Sequence, residues 1–282
     1  MSQKTVIITG ATEGIGKVAA REILKLGNAV VLVGRNQEKL AQVTKELYPF
    51  SQGNSIATYQ ADLSSLKETS LLGDKLSKNY PKIDVLLNNA GAFFSERTLT
   101  REGLEATFAL NHMNYFVLAK KLTPSLRSSG AGRIVNVASG AHFGVSLDFA
   151  NLQGEVKYSG WKQYQKSKLM NILFTYELSE RLKSDSITVN CLHPGFVKTK
   201  FGHNNAGLAK GLLQFAQNLF AINEDKGAET SVYLSTSDEV KSVSGKYFEK
   251  CKTKTSSKPS YDFSAREELW KVSEEIYNKL AG

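Results

Sequence analysis

Thr5-Val6-Ile7-Ile8-Thr9-Gly10-Ala11-Thr12-Glu13-Gly14-Ile15-Gly16 decides how the rest of the chain is read. Its first four residues are β-branched and apolar, as in a strand buried on both faces. Beyond the glycines, Ile15, Val18, Ala19, Ile23 and Leu26 recur at helical spacing, and Gly27 stands where a C-terminal cap belongs. A strand that turns through glycine into a helix brings backbone N–H groups and a helix N-terminus to one point. That point suits a pyrophosphate, because the backbone can approach it closely and the helix end favours negative charge. The spacing here is G-x-x-x-G-x-G, not G-x-G-x-x-G. A tight turn would also want glycine for purely structural reasons, so the motif gains force from its position after the first strand.

The same alternation runs outward from this stretch. Ala29–Val33 reads as the second strand, followed by a charged helix to about Leu47. Ser55–Gln60 reads as a third strand, and a capping box from Ser65 to Glu68 opens the next helix. Strands at Ile83–Leu87, Arg133–Val137 and Thr188–Leu192 alternate with helices around Glu102–Leu122 and Gln163–Lys183. Six or seven apolar strands separated by helices predict an α/β fold, a doubly wound parallel sheet of Rossmann type with helices on both faces. With no repeat, low-complexity tract or linker, residues 1–282 read as one domain. Residues from about 193 to 282 are expected to complete the sheet and form the substrate pocket and lid.

Composition excludes a disordered or disulfide-framework chain: 282 residues are 41% hydrophobic and 22% charged, with two cysteines. Cys191 and Cys251 are far apart and fit a reducing compartment. No run approaches the ~18 apolar residues of a membrane span. Met1-Ser2-Gln3-Lys4 leads straight into the first strand, leaving no room for a signal peptide, so the expected location is cytoplasmic. The net charge of +9 is compatible with an anionic ligand or surface, and equally with a basic solvated surface. It does not make a nucleic-acid binder, because no aromatic–basic interleaving or helix-turn-helix pattern accompanies it. His112, His142, His193 and His203 have no ligand spacing and read as structural or pocket-lining, with no metal site expected.

The end of the second strand, Val33-Gly34-Arg35-Asn36, lacks the carboxylate that usually meets an adenosine ribose in NAD sites. Arg35 could instead take a 2′-phosphate through charge-assisted hydrogen bonds, or be an ordinary exposed arginine. Tyr164 and Lys168 lie one turn apart on a helix and face the same way. A phenol titrates near ~10, too high for a base at neutral pH. A neighbouring ammonium is therefore expected to lower the Tyr164 value and make it a usable proton donor and acceptor. Ser139 and Asn88-Asn89-Ala90-Gly91 end strands at the carboxyl edge, where open parallel sheets place ligands. Asn111 lies in a helix between them, and Pro194-Gly195-Phe196-Val197-Lys198-Thr199 follows the strand carrying Cys191.

On these residues, with Asp62-Leu63, the chain resembles the short-chain dehydrogenase/reductase family. The matches occur in family order across essentially the whole chain. It further resembles the retinol-dehydrogenase-like branch in Asn111-His112, Ala141-His142, Asn151–Glu155, Ser167–Phe174 and Ser244–Phe248, and in the 25 positions between Ser139 and Tyr164. The resemblance implies an NADP(H)-dependent enzyme interconverting a carbonyl and an alcohol, on a lipophilic substrate. Tyr164 would exchange the proton, Ser139 would hydrogen-bond the substrate oxygen, and Lys168 would hold the nicotinamide ribose. Asn111 would anchor a water relay towards Lys168. Gly10, Thr12, Gly14, Ile15 and Gly16 would cradle the phosphates, and Asp62 and Leu63 would flank the adenine. Asn89, Ala90 and Gly91 would line the cofactor. Pro194, Gly195, Val197 and Thr199 would lie at its nicotinamide end.

Two departures stand out. Many membrane-bound relatives begin with a hydrophobic anchor, and none is expected here. Glu13 stands where some NADP-binding relatives carry a basic residue, leaving cofactor preference to Arg35. A non-catalytic NADP-binding regulatory or scaffold protein is the competing reading, although it would have no chemical need for Asn111, Ser139, Tyr164 and Lys168 together. A homo-oligomer is left open. Finally, residues 202–211 read as a loop, and Leu208, Leu212, Phe215, Ala216 and Leu219 then make one apolar helical face. That face suits a lid, an amphipathic helix packed on the core, or a helix dipping into a membrane.

Overall fold

The computed structural model describes residues 3–195 and 224–281. The first five strands are β1 (Thr5–Thr9), β2 (Ala29–Gly34), β3 (Ile56–Gln60), β4 (Val85–Asn88) and β5 (Gly132–Val137). They are followed by β6 (Ile187–His193), β7 (Tyr247–Glu249) and β8 (Lys252–Lys254). The described strands form one eight-stranded sheet in the order β3-β2-β1-β4-β5-β6-β7-β8. All neighbours are parallel except β7 and β8, whose antiparallel pairing makes a short hairpin at the edge. The described sheet thus has eight strands where the sequence reading expects six or seven. A three-residue strand such as Lys252–Lys254, lysine-rich and exposed, offers no apolar run to read.

The helices are α1 (Gly14–Lys25), α2 (Gln37–Leu47), α3 (Leu66–Asn79), α4 (Ala106–Phe108), α5 (Asn114–Arg127), α6 (Gly160–Arg181), α7 (Glu224–Thr236) and α8 (Phe263–Leu280). Successive residues of β1 serve opposite faces, as the pleat requires. Ile7 packs in the core beneath α3, α5, α6 and α8, whereas Val6 and Ile8 pack with α1, α2 and α7. Both faces are therefore apolar, which is why the strands read as continuous hydrophobic runs.

Local chemistry sets the element ends. Gly27 adopts φ +79° and closes α1 by donating to Leu24 O at 2.9 Å, while Asn28 N donates to Ile23 O at 3.3 Å. Ser65 Oγ accepts the Glu68 amide at 3.2 Å, as the capping box predicts. The Glu68 carboxylate, however, receives the Asp62 amide at 2.9 Å, so the box closes three residues upstream of the cap. The strand order reverses between β1 and β4, and the residues that follow these two strands face one crevice.

Candidate active site

The phosphate-type turn is built by exclusion of side chains. A Cβ on Gly16 would lie 2.3 Å from Gly10 O and 2.6 Å from Asn89 Nδ2. One on Gly10, which has φ +65°, would lie 2.9 Å from Ala90 Cα. The turn is pulled this close to β4 by Thr9, whose Oγ1 accepts the amides of Asn89 and Ala90, each at 2.9 Å. Asn89 Nδ2 returns a bond to Thr9 O at 2.9 Å and another to Gly10 O at 3.2 Å. Asn89 and Ala90 therefore brace the glycine turn, a task the sequence reading did not give them. Thr9 can take this role only because β1 and β4 are neighbours in the sheet.

At the next strand end, a Cβ on Gly34 would come 2.7 Å from Thr12 Cγ2, so glycine is needed for the turn to pass over β2. Arg35 follows with an exposed side chain that makes no ion pair among the described residues. Lys39, one turn into α2, is held by Glu13 at 3.3 Å. Ile15 is half-buried against the core at the start of α1. Asp62 is exposed after β3, with Oδ1 accepting the Ser64 amide at 3.0 Å and its hydroxyl at 2.7 Å; Leu63 is buried.

Asn111 sits inside a π-helical turn, Ala109–Met113, that joins α4 to α5. Such single wide turns recur at functional sites because they redirect one side chain within a rigid helix. The turn is held by the buried Glu105, whose carboxylate accepts the amides of Thr107 and Phe108 and the side chain of Gln163 on α6. Asn111 is wholly buried: Oδ1 accepts the Ala92 amide at 2.8 Å, and Nδ2 donates to Ala92 O at 2.9 Å and Ser167 Oγ at 3.0 Å. Gly91 is exposed beside it, and a Cβ there would lie 3.1 Å from Asn111 Oδ1 and 3.4 Å from Lys168 Nζ. Asn111 and Lys168 thus meet behind Gly91.

Ser139 ends the strand segment after β5, and its Oγ accepts the Ala141 amide at 3.1 Å and hydrogen-bonds the Tyr164 phenol. Tyr164 and Lys168 are both buried on α6, with Lys168 Nζ 5.6 Å from the centre of the Tyr164 ring and 3.1 Å from Val137 O, to which it donates. Burial pushes the Tyr164 phenol up to about 12, only partly opposed by the Ser139 hydrogen bond. The sequence leads one to expect a phenol depressed by Lys168; in the structure it is raised instead, because burial disfavours the phenolate, and burial also lowers Lys168 itself to about 8. Phe93 lies edge-on to Tyr164 at 6.1 Å, and the half-exposed Trp161 stacks on it at 5.8 Å. These two rings were not singled out from sequence, where an aromatic three residues before a tyrosine looks like any core position.

Pro194 and Gly195 follow β6, with Gly195 at φ +87°. Val197 and Thr199 lie outside the described residues, as does the whole proposed lid with Leu208, Leu212, Phe215, Ala216 and Leu219. Among the described residues no histidine, cysteine or carboxylate cluster could hold a metal. No described helix is long and apolar enough to cross a membrane.

Comparison with known proteins places this arrangement. The short chain dehydrogenase family matches residues 4–208. Retinol dehydrogenase 14 of Mus musculus is 37% identical over 286 residues, covering 97% of this chain and 86% of its own. Retinol dehydrogenase 12 of Homo sapiens is 33% identical over 273 residues, covering 97% and 86%. Among solved structures, an uncharacterized protein from Mycobacterium paratuberculosis superimposes with a TM-score of 0.78 at 28% identity, covering 98% of this chain and 94% of that one. An alcohol dehydrogenase from Thermococcus sibiricus shares the fold at a TM-score of 0.68 and 22% identity, covering 88% and 95%. The chain belongs to the short-chain dehydrogenase/reductase family, in its retinol-dehydrogenase-like branch.

Proposed function

We propose that the protein is an NADP(H)-dependent oxidoreductase that interconverts a lipophilic aldehyde or ketone and the corresponding alcohol, with Tyr164 carrying the proton. Family membership already makes it an oxidoreductase of CH–OH and C=O groups. The observation that carries the finer reading is the convergence of Ser139, Tyr164, Lys168 and Asn111 at the carboxyl edge of the sheet, beside a turn with no room for a Cβ at Gly10 or Gly16.

A dinucleotide fits the residues present. The Gly10–Gly16 turn is open backbone over the N-terminus of α1, and Gly14 adds a second positive φ of +58°. Arg35 is exposed and uncommitted to a carboxylate among the described residues, which suits a 2′-phosphate. Asp62 and Leu63 would lie at the adenine, and Lys168 and Gly91 at the nicotinamide ribose. When bound, the nicotinamide supplies or accepts the hydride.

The protein's own groups manage the oxygen. With its phenol at about 12, Tyr164 is neutral at physiological pH and holds the proton that a carbonyl oxygen takes up on reduction. The Ser139 hydroxyl, beside the Tyr164 phenol, would hydrogen-bond the same oxygen as charge develops there. Lys168 supplies positive charge one helical turn away, where burial strengthens its effect. Phe93 and Trp161 offer apolar ring surface next to the phenol, which supports a lipophilic substrate; the retinol dehydrogenases among the relatives are named for an apolar alcohol. The test is a panel of aldehydes, ketones and alcohols with NADPH, NADH and their oxidised forms, followed at the nicotinamide absorbance. Turnover of polar sugars in preference to apolar carbonyls, or of NADH in preference to NADPH, would overturn the reading.

A further inference from the structure

The sequence reading left the histidines as structural or pocket-lining. Two of them bracket Ser139. On one side His142 is fully buried, with Nδ1 2.6 Å from Ser139 O and Nε2 accepting the Ser257 amide at 3.0 Å. An amide can only donate, so Nε2 carries no proton and the proton sits on Nδ1, which donates to Ser139 O. On the other side, His193 at the end of β6 uses Nδ1 in the opposite sense. That nitrogen accepts the Gly140 amide at 3.0 Å and the Gly195 amide at 3.2 Å. Two donors on one lone pair require Nδ1 to be unprotonated.

The two amides belong to different working parts. Gly140 follows Ser139 directly and is the first residue of the short turn that Ser139 caps. Gly195 shortly precedes, in sequence, the expected cofactor contacts Val197 and Thr199. The imidazole lies flat against the turn, since a Cβ on Gly140 would be 3.0 Å from His193 Nε2 and 3.2 Å from Cε1. Glycine at 140 is thus a condition of this contact. Among the described residues the backbone ladder between these strands ends where the Ala138 amide donates to Leu192 O at 2.8 Å, so both turns leave the sheet just beyond it and the imidazole spans the gap.

We propose that His193 is a positioning residue whose Nδ1 fixes the Ser139–Gly140 turn to the Pro194–Gly195 loop, so that one imidazole sets the spacing between the substrate-oxygen site and the cofactor loop. The proposal rests on the oxidoreductase reading for Ser139 but reaches beyond it, since no role in the reaction was assigned to any histidine. A displacement of the serine hydroxyl by about 1 Å is enough to cost on the order of 10²-fold in rate. The imidazole itself touches neither substrate nor cofactor in this scheme.

The test compares His193→Asn, whose Oδ1 can take the place of the accepting nitrogen, with His193→Leu, which keeps bulk and loses the acceptor. His193→Leu is expected to lower kcat by roughly 10- to 100-fold, in keeping with that sensitivity to position. His193→Asn is expected to recover most of the loss. In a Ser139→Ala background the Leu substitution should cost little more, because the group being positioned is already gone. Equal losses for Asn and Leu, or a full additional loss in the Ser139→Ala background, would overturn the proposal.

A measurement on the wild-type protein covers the case in which His193→Leu does not fold. The Gly140 and Gly195 amide resonances should shift together, with one midpoint, as His193 is protonated. Among the described residues the ionisable groups facing that ring are Glu249 and Lys250 of the β7–β8 hairpin and His142 across the turn. His142→Gln therefore serves as a control that must leave the joint shift in place. Independent titration of the two amides would overturn the proposal. A wild-type protein inactive on every carbonyl, but with the amides still moving together, would instead count against the oxidoreductase reading alone.

Discussion

Arg35→Ala should separate the two nicotinamide cofactors. The side chain is exposed and makes no ion pair among the described residues, and the hydrogen bond at this position, from Gln60 Nε2 to Arg35 O at 3.2 Å, uses the backbone and survives the substitution. The change thus removes a cation from the crevice without touching the core, and stability should move by no more than about 0.5 kcal/mol. A hydrogen bond to a charged group contributes about 1.5–3 kcal/mol, which at room temperature is roughly a 12- to 160-fold rise in the NADPH dissociation constant. The neighbouring Lys39 is already engaged with Glu13 at 3.3 Å, an exposed pair of about 0–1 kcal/mol. Lys39 can therefore turn to a phosphate at little cost and pulls the expected loss towards the lower end. Binding is read by nicotinamide fluorescence, with NADPH and NADH titrated into both proteins at low and high salt. NADH affinity should change less than about twofold, and the NADPH effect should shrink with salt because the site is exposed. Equal weakening of both cofactors would refute the assignment of Arg35 to the 2′-phosphate.

Tyr164→Phe keeps the ring that Phe93 and Trp161 pack against and removes only the proton, so kcat should fall by about 10²- to 10⁴-fold with NADPH affinity nearly unchanged. Near-normal steady-state turnover would assign the proton to another group. Gly16→Ala would press a methyl against Gly10 O at 2.3 Å, a backbone atom that cannot swing away; a stability loss of about 1–3 kcal/mol in chemical denaturation and loss of NADPH binding are expected. Because Lys168 is held near 8 by burial, kcat/KM for NADPH, which reports groups of the free enzyme, should decline as pH rises through about 8. Lys168→Arg should carry that decline upward, and a decline that stays in place assigns it to a different group. The linkage has a definite sign: folding lowers the Lys168 value from 10.5, so the unfolded chain binds more protons between about 8 and 10.5 and this group's contribution to stability rises with pH over that window. Phe215→Ala or Leu212→Ala should erode a preference for apolar substrates more than it lowers the melting temperature; the reverse outcome would mark an ordinary packed helix.

The parts of this molecule that sequence made legible are those where one residue type has one physical reason. Continuous β-branched runs announced a sheet covered on both sides, and Val6, Ile7 and Ile8 do serve both faces. Gly27 and Ser65 marked helix ends because capping geometry is local. What remained hidden depends on contacts across the sheet. The π turn at Asn111 is fixed by Glu105 and by Ala92, which no periodicity connects. The use of Asn89 as a brace for Gly10 requires β4 to lie beside β1, an order that crosses two intervening strands in sequence. The β7–β8 hairpin escaped because three-residue strands carry too few residues for a period. The direction of the Tyr164 shift escaped for a different reason: spacing showed the cation nearby but gave no measure of burial.

The raised Tyr164 phenol alters the role that Lys168 can play. An ammonium 5.6 Å from the Tyr164 ring does not hold a resting phenolate, because the phenol sits at about 12 and keeps its proton. Under the proposed function it would matter once the proton has left for the substrate oxygen. A negative charge would then sit in a buried site, where the interaction with a buried cation is far stronger than at the surface. Before that moment the same burial makes the lone ammonium costly, and Val137 O is the acceptor that keeps it in place at 3.1 Å. The resting site therefore holds a neutral acid and an under-compensated cation, an arrangement whose electrostatic reward comes only when charge develops on Tyr164. This is the condition for stabilising the transition state more than the ground state.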